Sequence, residues 1–198
     1  MVKQSSSHQN NKYLESIISN YSKTIVYKNN SDDCFVLIDK KNANGKKLLH
    51  EIVTKFKTDI QSLYKFCFNS QSYFFDDTKN VRYVLVVFSL KSFSIVYMMN
   101  IKSSVLPTAF ILDTVCKKKD YGKRMFKKAL QFIFSSKKDL SPSTATFYLA
   151  LDLQNPFICL AFSAYIKAGF TPFQIDKIHG KDHILMMYDK ESTHIRKK

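Results

Sequence analysis

The 198-residue sequence predicts an α+β domain: one mixed, mostly antiparallel central sheet flanked by helices, in the order β-αα-βββ-α-β-α-ββ. Three observations carry this reading. The middle of the chain holds three β-branched and aromatic runs separated by short polar joints. The last third alternates strand-like and helix-like stretches. Apolar residues make up 45% and charged residues 24%, a balance that lets one chain enclose its own core.

The elements follow in order. Residues 1–12 are polar and read as a flexible tail; Tyr13, Leu14, Ile17, Ile18 and Tyr21 then recur at helical spacing. Cys34 to Asp39 is a short apolar run between two turn-rich stretches, the mark of a strand. From Lys46 to about Phe68 the period returns to 3.6, as one long helix or two in succession. Val81–Leu90, Phe93–Ile101 and Ala109–Cys116 read as three strands of an antiparallel meander. Met125, Phe126, Ala129, Leu130, Phe132 and Ile133 mark an amphipathic helix ending near Lys137, before a Ser-Pro-Ser-Thr linker. Thr146–Leu153 is a strand, Pro156–Ala168 a helix, and Phe170–Ile175 and His183–Tyr188 two closing strands. Pro156 suits a first helical turn and Gly169 a left-handed helix end. The domain is expected over residues 13–190, with a basic tail at 191–198.

Several classes are set aside by composition. Cys34, Cys67, Cys116 and Cys159 form no C-x-x-C pair, and the five histidines have no ligand or triad spacing, so no metal site is expected. The N-terminus lacks an apolar signal region and the longest apolar run, 83–90, is too short for a membrane span. A reduced, cytoplasmic protein is the expectation, with a nuclear location left open. The net charge of +15 creates a field that attracts polyanions, although A/T-rich coding would also raise the Lys content.

Two stretches carry possible chemistry. Val115 to Leu130 passes from a strand through a basic turn directly into a helix, and unsatisfied N–H groups at such a helix start favour a phosphate. A solvated basic turn is the competing reading. Leu149 to Phe170 again runs strand, turn and helix, with Asn155-Pro156 and then Tyr165-x-x-x-Gly169-Phe170.

On these residues the chain resembles the GNAT superfamily of acetyl-CoA-dependent N-acetyltransferases. The second family motif, Asn-Pro, about ten residues, then Tyr-x-x-x-Gly-Phe, is matched in order and spacing by Asn155, Pro156, Tyr165, Gly169 and Phe170. The first, R/Q-x-x-G-x-G/A, is matched at Gly122 and departs at Lys117 and Asp120. The resemblance covers roughly residues 81–189. It implies acetyl-CoA in a V-shaped split between the strand ending at Cys116 and the strand ending near Leu153. Main-chain groups of Val115 and Cys116 would hold the pantetheine arm, and Lys117, Lys118, Lys119, Asp120, Tyr121, Gly122 and Lys123 would surround the pyrophosphate. Asn155 would contact the pantetheine, and Tyr165 would be the general acid.

A general base is also required, since an ammonium must lose a proton before it attacks a thioester. Asp113 on the central strand is the candidate, with Asp152 on the neighbouring strand; either can instead be an ordinary carboxylate paired with a lysine. The implied activity is transfer of an acetyl group to a primary amine. The charge suits an acceptor carried on or beside a polyanion better than a polybasic one. The alternative is a catalytically inactive module that binds nucleic acid or another polyanion through Lys117 to Lys119, Lys123, Arg124, Lys127, Lys128, Lys137 and Lys138, with Tyr121 stacking on a base.

Overall fold

The computed structural model describes residues 3–22, 25–29, 32–67, 82–103, 108–116, 119–135 and 146–189; along 108–116 and 119–123 the description is of the backbone. In chain order the elements are α1 (Lys3–Asn20), β1 (Ile25–Asn29), β2 (Asp33–Asp39), α2 (Ala43–Lys55), α3 (Lys57–Cys67), β3 (Tyr83–Ser89), β4 (Ser94–Ser103) and β5 (Thr108–Cys116). They continue as α4 (Lys119–Ser135), β6 (Thr146–Asp152), α5 (Ile158–Ala168), β7 (Thr171–Ile178) and β8 (Lys181–Asp189). The strands form one sheet in the order β1-β2-β3-β4-β5-β6-β8-β7. Neighbours are antiparallel except β5 and β6, which are parallel.

The central strands are buried on both faces, which is why β3 is an unbroken apolar run from Tyr83 to Phe88 instead of an alternating one. Phe35, Leu37, Leu85, Val87 and Met99 point to one face, where Met125, Phe126, Ala129, Leu130 and Ile133 of α4 cover them. Cys34, Val36, Ile38, Val84 and Val86 point to the other, against Leu14 and Ile17 of α1, Leu48 and Ile52 of α2, and Ile60 and Leu63 of α3. Successive side chains of β2 and β3 thus point alternately into two helical layers that flank one sheet.

The structure departs from the sequence reading at α1, at β1 and at Pro156, and chooses between its two alternatives for the stretch from Lys46. α1 begins at Lys3, inside the stretch expected as a polar tail, although its buried anchors are Leu14 and Ile17. β1 was not expected: it pairs Ile25 with Ile38, and its one signal is the short β-branched and aromatic run Ile25-Val26-Tyr27. The stretch expected as one long helix or two in succession is two, α2 and α3, parted at buried Phe56, whose N–H is bonded to Ile52 O at 2.9 Å. Pro156 lies in the turn before α5, which starts at Ile158. The Ser-Pro-Ser-Thr linker and the 191–198 tail fall outside the described residues.

Close backbone contact fixes α2 against the sheet. A side chain at Gly45 would run its Cβ into the carbonyl oxygen of Asp39 at the end of β2. Only glycine allows that approach. The helix is started by Asn42, whose Oδ1 accepts the Asn44 N–H at 2.9 Å.

Candidate active site

β5 and β6 are the two strands that part. Their parallel register runs through Thr108↔Thr146, Ala109↔Phe147 and Phe110↔Tyr148 and stops there, although both strands continue, to Cys116 and Asp152. The cause is visible on the other edge of β5. Asn100 pairs with Asp113 but the next residue, Ile101, pairs with Ile111, so Leu112 is an extra residue. Such a bulge bends its strand and sharpens its twist. From Ile111 onward, no strand among the described residues pairs with the edge of β5 that faces β6.

α4 starts at Lys119, just beyond the end of β5, and is held in place by its buried stripe of Met125, Phe126, Ala129 and Leu130. Its first N–H groups have no intrahelical acceptor and lie at the end of the strand that borders the split. Val115 and Cys116 sit at register positions opposite Met98 and Tyr97 of β4, and Asp113 opposite Asn100. Asn100 is a buried polar residue, 5% exposed, in the apolar run Val96–Ile101. That interruption was the signal for it, and sequence reading passed over it. Lys119, Asp120, Tyr121, Gly122 and Lys123 form the opening of α4; Lys117 and Lys118 lie outside the described residues.

The opposite wall is the turn from β6 to α5. Asp152 Oδ1 accepts the Gln154 N–H at 2.8 Å, and Asp152 Oδ2 lies 3.6 Å from Lys181 Nζ. Asp152 is therefore used in the turn and in an ion pair, the ordinary reading for a surface carboxylate. Asn155 is half-buried; its Oδ1 accepts the Phe157 N–H at 2.9 Å, and its main-chain oxygen accepts the Ile158 N–H at 2.9 Å. Its side-chain oxygen thus closes a turn ahead of α5, whose N-cap, Phe157, has no side-chain cap.

Tyr165 stands on the third turn of α5 with its ring between the two helices and the sheet. Ring centroids lie 5.0 Å from Phe126 of α4 and 6.1 Å from Phe170, and Phe170 is itself 5.7 Å from Phe126. Phe170 is delivered there by the helix end: Gly169 adopts φ 104, and the Phe170 N–H returns to Tyr165 O at 3.0 Å. Added at Gly169, a Cβ would also approach Tyr188 Cε2 to 3.0 Å. The Tyr-x-x-x-Gly-Phe spacing is thus a packing device: the glycine turns the chain so that the phenylalanine supports the tyrosine. Phe126 is the partner that the motif did not announce, because it comes from α4.

Among the described residues, no group of three His, Cys, Asp or Glu is placed to hold a metal ion, and no helix is long and apolar enough to cross a membrane.

No family model and no curated protein matches the chain. Among solved structures it is similar to the ribosomal-protein-S5-alanine acetyltransferase of Vibrio fischeri, with a TM-score of 0.55 at 12% identity over 84% of this chain and 97% of that one. An acetyltransferase of Bacillus subtilis, solved with CoA, aligns with a TM-score of 0.48 at 15% identity, over 67% of this chain and 91% of that one. A variant of the spermidine N-acetyltransferase of Vibrio cholerae aligns with a TM-score of 0.48 at 15% identity, over 83% and 98%. The strand order, the parting parallel pair and the first of these likenesses agree: the chain has the fold of the GNAT acetyltransferases, in a divergent sequence.

Proposed function

We propose that this protein is an acyl-CoA-dependent N-acetyltransferase that moves an acetyl group from acetyl-CoA to a primary amine. The observation that supports this reading is the parting of β5 and β6 after Phe110 and Tyr148, with α4 opening just past Cys116. An uncovered strand edge offers N–H and C=O groups to a ligand carrying amides, and a helix start offers N–H groups to phosphates. Both chemistries occur in coenzyme A. When bound, acetyl-CoA supplies a thioester whose acyl carbon is open to an amine.

The chain's own residues then have distinct tasks. The main chain of Val115 and Cys116 holds the pantetheine amides, and Asn155 donates from Nδ2, since its Oδ1 is committed to Phe157. The N–H groups of residues 119–123 hold the pyrophosphate; Lys117, Lys118, Lys119 and Lys123 offset the charge of Asp120 beside it. Tyr165 Oη gives its proton to the departing sulfur, for which a phenol is suited because its pKa is near that of a thiol. Asp113 takes the proton from the incoming ammonium. The acceptor is an amine carried on or beside a polyanion, drawn by the +15 field.

Calorimetric titration with acetyl-CoA, beside the Gly122→Trp variant, tests the reading. One-to-one micromolar binding that the substitution removes supports it. No binding by the natural chain would overturn it and move the weight to the basic-face alternative, in which nucleic acid binds through side chains and tolerates Gly122→Trp. Against that alternative, Lys128 Nζ already lies 3.5 Å from the buried Asp33 Oδ2.

A further inference from the structure

Asn100 interrupts the apolar interior of the sheet. A side-chain amide that is 5% exposed is costly unless it is hydrogen-bonded. The strand registers show what lies beside it. Its β3 partner is Val84, and its same-face neighbour two residues back along β4 is Met98; both belong to the apolar cluster that includes Ile60 and Leu63 of α3. On its other side, β5 brings Asp113 to the position directly opposite. Opposed residues of an antiparallel pair share one face, with Cβ atoms about 4.5–5.5 Å apart, a spacing that an amide and a carboxyl can bridge.

From β2 to β5 the row is therefore Ile38, Val84, Asn100, Asp113, apolar for two strands and polar for two. Its polar end borders the split, because the register of β5 with β6 stops at Phe110 and Tyr148. The bulge decides which residue meets the amide. Continued regularly from Ile101↔Ile111, the register would set Leu112 opposite Asn100 and Asp113 opposite Met99, on the other face of the sheet. The extra residue in β5 moves the leucine out and the carboxylate in, the kind of re-aiming for which bulges occur beside active sites.

Other charged groups near this face are engaged or set apart. Asp59 of α3 accepts the Ile95 N–H through Oδ2 at 3.2 Å, at the start of β4. Arg82, two residues before Val84, has Nη2 3.8 Å from Asp39 Oδ2. Lys102, two residues along β4 from Asn100, is half-buried and adds positive charge on the same face. An amide can donate to a carboxylate or accept from a carboxylic acid. Only the first suits a base.

We propose that Asn100 positions the Asp113 carboxylate at the split and keeps it ionised, with its side-chain amide as the donor. This role rests on the reading of Asp113 as the base that deprotonates the incoming ammonium; Asn100 itself is a positioning residue. The Asp113 carboxyl can be titrated in the full chain by carbon-13 NMR, its resonance identified by its loss in Asp113→Asn. Removing a donor to the charged form raises a carboxyl pKa. Asn100→Leu should raise that of Asp113 by about one to two units. Asn100→Ser, which keeps a donor, should move it by less. Asn100→Asp, close to the natural side chain in size, sets a second carboxyl against the first, and the pair should hold a shared proton to higher pH. In acetyl transfer across an amine panel, the acid limb of kcat/KM should move up in Asn100→Leu by the same amount as the NMR titration. An Asp113 titration that is unchanged or lowered in Asn100→Leu, or unchanged in Asn100→Asp, overturns the proposal. A titration that rises while the acid limb stays in place upholds the pairing of Asn100 with Asp113, and it is the reading of Asp113 as the base that then fails.

Discussion

Phe110 and Tyr148 are the last pair to face each other across the parallel strands β5 and β6. Beyond them the Leu112 bulge turns β5 aside, and the main-chain groups of Ile111–Cys116 that point toward β6 have no strand partner among the described residues, while those that point toward β4 keep theirs. Amides without a partner exchange readily with solvent. Hydrogen exchange followed by mass spectrometry should therefore show a fast-exchanging fraction in the peptide covering Ile111–Cys116, beside the fraction bonded to β4, and slow exchange throughout β2 and β3. Acetyl-CoA should slow the first and leave the others unchanged. Equal protection of all these strands before ligand is added would contradict an open split.

Tyr165→Phe keeps the ring that packs on Phe126 and Phe170 and removes only the hydroxyl. Loss of a positioned acid lowers turnover by about 100-fold or more. Acetyl transfer across an amine panel should fall by that order while acetyl-CoA affinity and the melting temperature stay within error. A variant as active as the natural chain would remove Tyr165 from the chemistry and leave it as a packing residue.

Gly45→Ala tests the seating of α2. The added methyl meets the Asp39 carbonyl, part of the backbone at the end of β2, so relief requires the helix to shift. Overpacking of this kind costs about 1–3 kcal/mol. Thermal unfolding should show it as a drop of about 2–4 °C per kcal/mol for a chain of this size. An unchanged midpoint would mean that α2 moves freely on β2.

The alkaline limb of stability should be steep. Burial pushes the Cys34 thiol up to about 12 from an ordinary 9.0. Tyr13 is likewise raised from 10.0 to about 12, first by burial and then by Glu51 and Tyr21. Both groups are neutral when protonated, so the unfolded chain ionises first and binds fewer protons than the folded one. Stability is therefore full below about pH 9 and is lost between there and about pH 12, with Cys34 contributing up to about 1.4 kcal/mol per pH unit. Urea midpoints should fall across that window, and Cys34→Ala should flatten the fall. At neutral pH a thiol reagent should modify exposed Cys159 and spare Cys34 in the folded chain.

Much of this protein is legible in its sequence because the signals are local. The three strands of the meander are long β-branched and aromatic runs, α4 is an apolar stripe at period 3.6, and Gly169 stops α5 because a left-handed residue is cheapest as glycine. Asn155 and the Tyr-x-x-x-Gly-Phe spacing also mark the turn and helix that wall the candidate site. What the sequence could not determine depends on partners distant in the chain. β1 is a strand because β2 completes its ladder, Tyr165 is seated by Phe126 from another helix, and Leu112 is a bulge only relative to Asn100 and Ile101 on β4. The parting of β5 from β6 belongs to this second group. Local propensity assigns a residue to a strand, but register, and with it the opening between two strands, is decided only when tertiary packing chooses which residues face each other.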